Sequence, residues 1–300
     1  MRYVHLDVFT GTPLAGNQLA VFPEPPLDLA PARMQAIAAE MAFSETTFLF
    51  PPAAGGDVRM RIFTPGEELP MAGHPTIGAT FALAGDGRLR PGDQGLTFEL
   101  GVGPIPVSLE WEGSALRFAW MTQLLPTFGP EITDRGAAAA ALGVEGRDLM
   151  DLPVEVVSCG VPFLFLPLRS RGAVDRAVLD RRALASVYAA AGLDELPVFL
   201  FTLDRTGARG EETVYSRMLA PGFGISEDPA TGGASGPLGC FLFHHGAVDG
   251  TGARNLLSLQ GAAMGRPSHI HIAIDTIGDM ISRVRIGGSA VRVAEGRLLV

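Results

Sequence analysis

Apolar residues along this chain fall into short runs, and turns rich in glycine and proline separate these runs. Alternation of apolar and polar residues over 270–274, 283–286 and 290–293 predicts three strands that pair as an antiparallel meander. The segments Pro31–Met41 and Arg181–Ala191 are predicted as helices that follow short strands. The chain therefore combines many short strands with few helices.

Two further segments are predicted as helices of a different kind. They cover roughly 75–84 and 233–244, and both are apolar on every side. A helix without a polar face has to be buried all round. We therefore expect each of these two helices to run through the middle of a shell of strands.

The chain also contains an ordered internal repeat, whose two copies are separated by 144 to 156 residues. The matched segments are Gly16–Phe22 with Gly160–Leu166, Phe48–Phe50 with Phe199–Phe201, Arg61–Pro65 with Arg217–Pro221, and Thr76–Thr80 with Thr231–Ser235. Such a repeat with a slowly drifting offset indicates a duplicated structural unit.

The repeat predicts an α+β fold of two pseudo-symmetric lobes, each a mixed β-roll or barrel around one central buried helix. We place the N-terminal lobe at residues 1–122 and the C-terminal lobe at 123–300, with a proline-marked linker over 122–133. Two arrangements of the last strands are compatible with this division, since they can stay in the second lobe or return to the first.

Charge and cysteine content exclude several classes of function. The formal net charge is −9 and no run of basic residues occurs, so neither a nucleic acid nor an anionic membrane is expected as a partner. No apolar run approaches the roughly 20 residues that a spanning helix needs. Two cysteines make no disulfide framework, and the first residues have a strand pattern rather than that of a signal peptide. The expected location is the cytoplasm.

Both apolar helices begin in turns rich in glycine, at 71–75 and 228–233. A helix start offers free N–H groups and the positive end of the helix dipole, which favours anions. If the lobes pack with twofold pseudo-symmetry, both starts face one cleft, and Gly73, Gly232 and Gly233 would bind a small carboxylate there. The alternative is that the two helix ends merely pack.

Three ionisable residues are candidates for chemistry at this cleft, and two of them, His74 and Asp228, stand at the helix starts. Glu45 lies among apolar residues, so burial should raise its pKa and suit it to proton transfer; the alternative is an exposed glutamate that caps a helix. His74 should stay neutral at a helix start, or it is simply structural. Asp228 precedes a proline, and local hydrogen bonds there should lower its pKa. Asn17 serves either a turn or the cleft.

Together these residues predict acid–base chemistry at a carbon atom. The set contains no nucleophile, and His269 and His271 lack further ligands at a spacing that binds metal. We therefore expect no metal. Removal and return of a proton is the reaction that such a set supports.

Five blocks of the sequence resemble the PhzF-like isomerases of phenazine biosynthesis, which have the diaminopimelate-epimerase fold. The blocks span nearly the whole chain and are Asp7–Phe22, Ser44–Thr46, Met71–Thr76, Asp228–Gly232 and Gln260–Ser268. The resemblance implies a two-lobed, usually homodimeric isomerase without a cofactor. It also implies that Glu45 shuttles the proton, while His74, Asp228 and the backbone of Gly73 assist and orient the substrate.

The best-known member of that family isomerises trans-2,3-dihydro-3-hydroxyanthranilate and carries a serine where this chain has Gly233, so the resemblance leaves the substrate open. The epimerase branch of the fold uses two thiols, but Ala72 and, within about a residue, Ala230 stand at those places. Cys159 and Cys240 lie elsewhere and are expected in the core.

Three hypotheses about function follow. The first is a cofactor-free isomerase that acts on a small carboxylate, with Glu45 as acid and base. The second is an epimerase or racemase in which carboxylates replace the thiols. The third is a binding module that has kept the cleft and lost catalysis.

Overall fold

The computed structural model describes residues 1–204 and 212–299. In the first half of the chain the strands are β1 (Arg2–Val8), β2 (Asn17–Phe22), β3 (Glu45–Phe50), β4 (Val58–Phe63), β5 (Glu68–Leu69), β6 (Gly95–Leu100), β7 (Gly103–Glu112) and β8 (Ala115–Gln123). In the second half they are β9 (Thr127–Glu131), β10 (Glu155–Ser158), β11 (Pro162–Pro167), β12 (Val198–Asp204), β13 (Glu212–Ala220), β14 (Ile225–Asp228), β15 (Leu256–Gln260), β16 (Ser268–Ile277), β17 (Met280–Gly288) and β18 (Ala290–Arg297).

The helices are α1 (Pro31–Met41), α2 (Gly73–Gly85), α3 (Arg135–Ala140), α4 (Arg171–Arg176), α5 (Arg181–Ala191) and α6 (Gly232–His244). The bounds predicted for α1 and α5 are confirmed, and α2 and α6 begin only one or two residues before their predicted starts.

The two halves pair their strands in the same order and in the same directions. The first half runs β1-β2-β3-β4-β6-β7-β8, with parallel pairs at β2–β3 and β4–β6 and antiparallel pairs elsewhere. The second half runs β10-β11-β12-β13-β15-β16-β17, with parallel pairs at the equivalent β11–β12 and β13–β15. The predicted duplication is therefore confirmed.

Helices connect the parallel pairs, as parallel strands require. Two of these connections, α2 and α6, are 13 residues long, with ten residues of α2 and eleven of α6 buried. The prediction of one central buried helix in each lobe is thus confirmed. The other connections lie outside: α1 packs Met34 and Ile37 against β2 and β3, and α5 covers the second lobe with Leu184 and Val187.

The last strands depart from the predicted meander. β16 and β17 pair as expected, but the other neighbour of β17 is β8, in the register Ile286 with Met121. β18 pairs instead with β1, in the register Val291 with Asp7. It covers the edge of β1 that would otherwise be open, as β9 does for β10. The meander prediction was wrong for this strand.

The end of the chain thus contributes a strand to the first half, while the β8–β17 pair joins the two halves. The segment predicted as a linker, 122–133, contains strand β9. The division into lobes at residue 122 stays a prediction. Among the helices of residues 1–204 and 212–299, none is long and apolar enough to cross a bilayer.

Candidate functional site

Helices α2 and α6 begin in contact with each other between the two lobes. A Cβ atom built on Gly73 would lie 2.6 Å from the backbone of Gly232, and one on Gly232 would lie 3.0 Å from Cα of Gly73. Cβ atoms essentially never approach other atoms more closely than 3.0 Å. Glycine at position 73 is therefore what lets the two helix starts meet in one cleft.

The first N–H groups of both helices are free. No described residue accepts a hydrogen bond from the backbone nitrogen of Gly73, His74, Gly232 or Gly233. The residues before the helices, Ala72 and Thr231, provide no side-chain cap. Unpaired N–H groups at a helix start form an anion site when they face a cavity.

A cavity of about 290 Å³ lies at this junction, and both lobes line it. The ionisable residues in its wall are Glu45, His74 and Asp228, and the glycines of both helix starts also contribute. Most of the remaining wall is apolar. Among the described residues, no lysine or arginine lines the cavity. A bound anion would therefore depend on backbone N–H groups rather than on a cationic side chain.

Glu45 is the first residue of β3 and is 7% exposed. Its Oε2 lies 3.1 Å from Nε2 of His74, but the two atoms are not aligned for a hydrogen bond, and among the described residues neither has another partner. Burial, followed by the nearby charge of Asp228, raises the pKa of Glu45 well above its usual range. The predicted direction is confirmed.

His74 is the second residue of α2 and is 2% exposed. Burial lowers its pKa to about 3, so the ring is neutral near pH 7. Its Nδ1 lies 3.2 Å from Nδ2 of Asn17. Its Nε2 faces Oε2 of Glu45. A neutral His74 was predicted from the helix dipole, but burial is the main cause.

Asp228 is the last residue of β14 and is 3% exposed. Its Oδ1 accepts from Nδ2 of Asn17 at 2.7 Å, and its Oδ2 accepts from the Thr231 hydroxyl at 2.6 Å. Burial nevertheless raises the pKa of Asp228 to about 6, because the cost of burying the charge outweighs these donors. The predicted lowering of this pKa was wrong.

The remaining predicted site residues have different surroundings. Asn17 is buried behind the cavity wall, where its amide bonds to Asp228 and to the carbonyl of Ala230. Gly233 lines the cavity, and a Cβ atom there would meet nothing closer than the Phe163 ring at 3.7 Å. Position 233 therefore has room for a Cβ atom.

The two thiols lie away from this cavity. Cys159 and Cys240 are both fully buried, with their sulfur atoms 4.0 Å apart. The adjacent Cys159 thiol, together with burial, raises the pKa of Cys240, so it stays protonated. Ala72 lines the cavity, where the epimerase branch has a thiol. In residues 1–204 and 212–299 no three His, Cys, Asp or Glu side chains are grouped to hold a metal ion.

Sequence reasoning did not single out two residues that shape the site. Thr231 and Gln260 form a buried hydrogen-bonded cluster behind Asp228. Gln260 begins one of the blocks that carry the family resemblance, which was the only signal for it. Arg266, at the end of that block, bonds to Asp7 and to the Gly16 carbonyl, so it holds the loop that leads to Asn17 and does not line the cavity.

The chain is similar to known proteins along nearly its whole length. The family model "Phenazine biosynthesis-like protein" (PhzC-PhzF) matches residues 6–296. The chain is 36% identical to the trans-2,3-dihydro-3-hydroxyanthranilate isomerase of Pseudomonas aeruginosa, over 99% of this chain and 98% of that one. It is 35% identical to the enzyme of the same name from Pseudomonas fluorescens, over 100% and 99%.

Solved structures extend the similarity. A Bacillus anthracis protein of the PhzF family, 26% identical, superposes with a TM-score of 0.86 and covers 100% of this chain and 99% of its own. A probable proline racemase from Agrobacterium radiobacter, only 10% identical, has a TM-score of 0.69 with coverage of 100% and 93%, which concerns the fold alone. The chain therefore belongs to the PhzC-PhzF family of phenazine biosynthesis-like proteins, with the epimerase-type fold, and is an isomerase of that family.

Proposed function

We propose that this isomerase moves a proton between two carbon atoms of a small carboxylate, without a cofactor, and that Glu45 carries the proton. His74 and Asp228 assist and orient the substrate in this proposal. Gly73, Gly232 and Gly233 bind its carboxylate through backbone N–H groups. Asn17, which was predicted to bind substrate, acts from behind the wall by holding Asp228 through its side-chain amide.

The observation that carries the assignment is the free, buried Oε2 of Glu45. The other two ionisable groups of the cavity are less suited to accept a proton. His74 has a pKa of about 3 and is a poor base near neutrality. Both oxygens of Asp228 already accept hydrogen bonds. Glu45 combines a raised pKa with an oxygen that is not occupied, which suits a general acid–base.

The helix starts supply the second part of the mechanism. Removal of a proton from a carbon conjugated with a carboxylate sends the electron pair of the broken C–H bond toward the carboxylate oxygens. Four free N–H groups around Gly73 and Gly232 stabilise the charge that develops there. Glu45 then returns the proton to another carbon, so the substrate is neither oxidised nor reduced.

Trans-2,3-dihydro-3-hydroxyanthranilate, which the two Pseudomonas enzymes are named for, is the first substrate to test. It carries one carboxylate on a six-membered ring, which suits an anion site beside an apolar wall. The family resemblance puts a serine at position 233 of the phenazine enzyme, and this chain has glycine. We therefore propose a substrate of this class rather than this compound alone.

The test is proton NMR of candidate substrates in D₂O with the purified protein. Isomerisation should move the ring signals of trans-2,3-dihydro-3-hydroxyanthranilate to those of a product with a shifted double bond, at a rate proportional to enzyme concentration. Binding measured by calorimetry without any conversion or deuterium exchange, across a panel of cyclic carboxylates, would favour the binding-module hypothesis and contradict the proposal.

A second candidate is epimerisation at the carbon next to the carboxylate. The observation that favours it is that Glu45 and Asp228 come from the two different halves of the chain and line the same cavity. Two bases on opposite sides of a carbon are what inversion needs. Chiral chromatography of products from single amino-acid enantiomers separates the candidates, because an epimerase yields both enantiomers and the isomerase yields a new double-bond position.

We also propose a cytoplasmic homodimer. Both cysteines are reduced and buried in the structure, which suits a reducing compartment. The dimer is proposed from the family resemblance. Sedimentation analysis at micromolar concentration should give twice the 31.5 kDa mass of the chain, and a monomer would contradict this part of the proposal.

A further inference from the structure

Gln260 is the last residue of β15, and none of its surface is exposed. Its side-chain amide makes three hydrogen bonds to the segment that carries Asp228. Oε1 accepts from the backbone nitrogen of Thr231 at 3.0 Å. Nε2 donates to the carbonyl of Asp228 at 2.8 Å and to the hydroxyl of Thr231 at 2.9 Å. The amide therefore reaches the site without lining the cavity.

The backbone determines which way this amide points. An N–H group only donates and a carbonyl only accepts, so Gln260 must present Oε1 to Thr231 and Nε2 to the Asp228 carbonyl. Because Nε2 only donates, the Thr231 hydroxyl oxygen has to accept from it. The hydroxyl hydrogen is then directed to Oδ2 of Asp228, 2.6 Å away.

A second observation supports this direction. Thr231 immediately precedes α6, where a threonine usually accepts a hydrogen bond from the first N–H groups of the helix. Here its side chain makes no such bond. The hydroxyl is engaged between Gln260 and Asp228 instead, which leaves the N–H groups of Gly232 and Gly233 free beside the cavity.

We propose that Gln260 is a positioning residue of the active site: it acts through the Thr231 hydroxyl and holds Asp228 as a hydrogen-bond acceptor. The inference rests on the proposed function, since it assigns a role within the same site. Asn17 supplies the donor to the other oxygen of Asp228. With donors on both oxygens, Asp228 stays a carboxylate, and the mobile proton is left to Glu45.

The charged and titratable groups around Asp228 come from several elements. Glu45 from β3 and His74 from α2 line the same cavity as Asp228. Glu227, the preceding residue of β14, is paired with Arg217 of β13. The variants below leave these four groups in place. Burial raises the pKa of Asp228 and its hydrogen-bond donors oppose that rise, so loss of a donor should raise it further.

Carbon NMR of protein labelled at the aspartate side-chain carboxyl reports the ionisation of Asp228 in the free protein, and Asp228→Asn assigns the signal. Thr231→Val removes the hydroxyl at nearly constant volume, while Thr231→Ser keeps it as the matched control. We expect the Asp228 midpoint to rise by about one pH unit, a tenfold change in the ionisation constant, in Thr231→Val. It should stay in place in Thr231→Ser.

Gln260→Met keeps the length of the side chain and removes both polar atoms, and it should move the Asp228 midpoint in the same direction. In the double variant with Thr231→Val, the midpoint should move no further than in Thr231→Val alone, because Gln260 acts through that hydroxyl. An unmoved midpoint in Thr231→Val, or additive shifts in the double variant, would overturn the proposal.

If Gln260→Met does not fold, Gln260→Asn takes its place in the same measurement, because the shorter side chain withdraws the amide from the Thr231 hydroxyl. None of these measurements uses a substrate. A failed isomerase assay would therefore count against the proposed function without touching the proposed role of Gln260, and an unmoved Asp228 midpoint would do the reverse.

Discussion

The two carboxyl groups of the cavity come from the two halves of the duplicated fold, and their surroundings differ. Asp228 has hydrogen-bond donors on both oxygens, from Asn17 and Thr231. Glu45 is just as buried, yet its Oε2 has no aligned donor among the described residues and faces only the neutral ring of His74. Burial raises both pKa values, but only Asp228 is supplied with groups that stabilise its charge.

This difference shows how a symmetric scaffold can hold an asymmetric reaction site. The helix starts repeat in position, with Gly73 against Gly232. The polar residues around them do not repeat. The surroundings of Asp228 keep a negative charge there, and the surroundings of Glu45 hold a proton that can leave.

Among the tests of this difference, removal of the proton carrier should have the largest effect, which is on the turnover rate. Glu45→Gln keeps the shape of the side chain and abolishes proton transfer, so the turnover rate should fall by about 10²–10⁴. Ligand binding should largely survive, because the helix starts and His74 are unchanged. Turnover, or deuterium exchange at the substrate carbon, measures the loss of proton transfer. Calorimetry measures the affinity for the ligand. Wild-type exchange in this variant would move the assignment to Asp228.

The next test concerns the part of the site that both halves share, which is the contact between the starts of α2 and α6. Gly73→Ala places a Cβ atom 2.6 Å from the backbone of Gly232, so the starts must separate. Such overpacking should cost about 1–3 kcal/mol in the free energy of unfolding and weaken carboxylate binding. Urea denaturation and calorimetry measure the two effects. The matched control is Gly233→Ala, which meets only Phe163 at 3.7 Å and should leave stability nearly unchanged.

The electrostatic coupling between the carboxyl groups should give a smaller effect. Ionised Asp228 raises the pKa of Glu45, so Asp228→Asn should shift the Glu45 ionisation to lower pH. Carbon NMR of the glutamate side-chain carboxyls, assigned with Glu45→Gln, follows this midpoint in the free protein. A shift to higher pH would mean that the two groups do not interact as like charges.

The smallest expected change concerns the His74 imidazole, which should not titrate near neutral pH. With a pKa of about 3, His74 should show constant imidazole chemical shifts between about pH 5 and 8. Free imidazole added to the sample serves as the reference in the same spectra. A His74 midpoint in that window would show that the ring becomes charged and pairs with Glu45, which would remove the contrast between the two sides.

The helices and much of the candidate site could be predicted from the sequence, because the patterns that indicate them are local or repeated. The outer helices α1 and α5 and the two apolar helices follow from residue patterns that any single segment carries. The repeat then placed two glycine-rich helix starts in one cleft. His74 and Asp228 were found because they stand at those starts, and Glu45 was found because it is a carboxylate among apolar residues.

What the sequence could not show depends on contacts between distant segments. The pKa of Asp228 was predicted with the wrong sign because hydrogen bonds are suggested by its neighbours in sequence, whereas its 3% exposure is a property of the folded chain. No sequence pattern pointed to Gln260 as an individual residue, since one buried glutamine gives no periodic signal. The pairing of β18 with β1 joins segments that no local pattern connects.

That last pairing has a consequence for synthesis of the protein. β1 is made early, yet the strand that covers its edge, β18, follows about 280 residues later, which is roughly 15–55 s at ordinary translation rates. Until then β1 presents an unpaired edge on which other chains can add a strand. The second half meets no such delay, because β9 is made just before β10. Nascent chains halted before residue 290 should therefore be the ones that engage chaperones or aggregate.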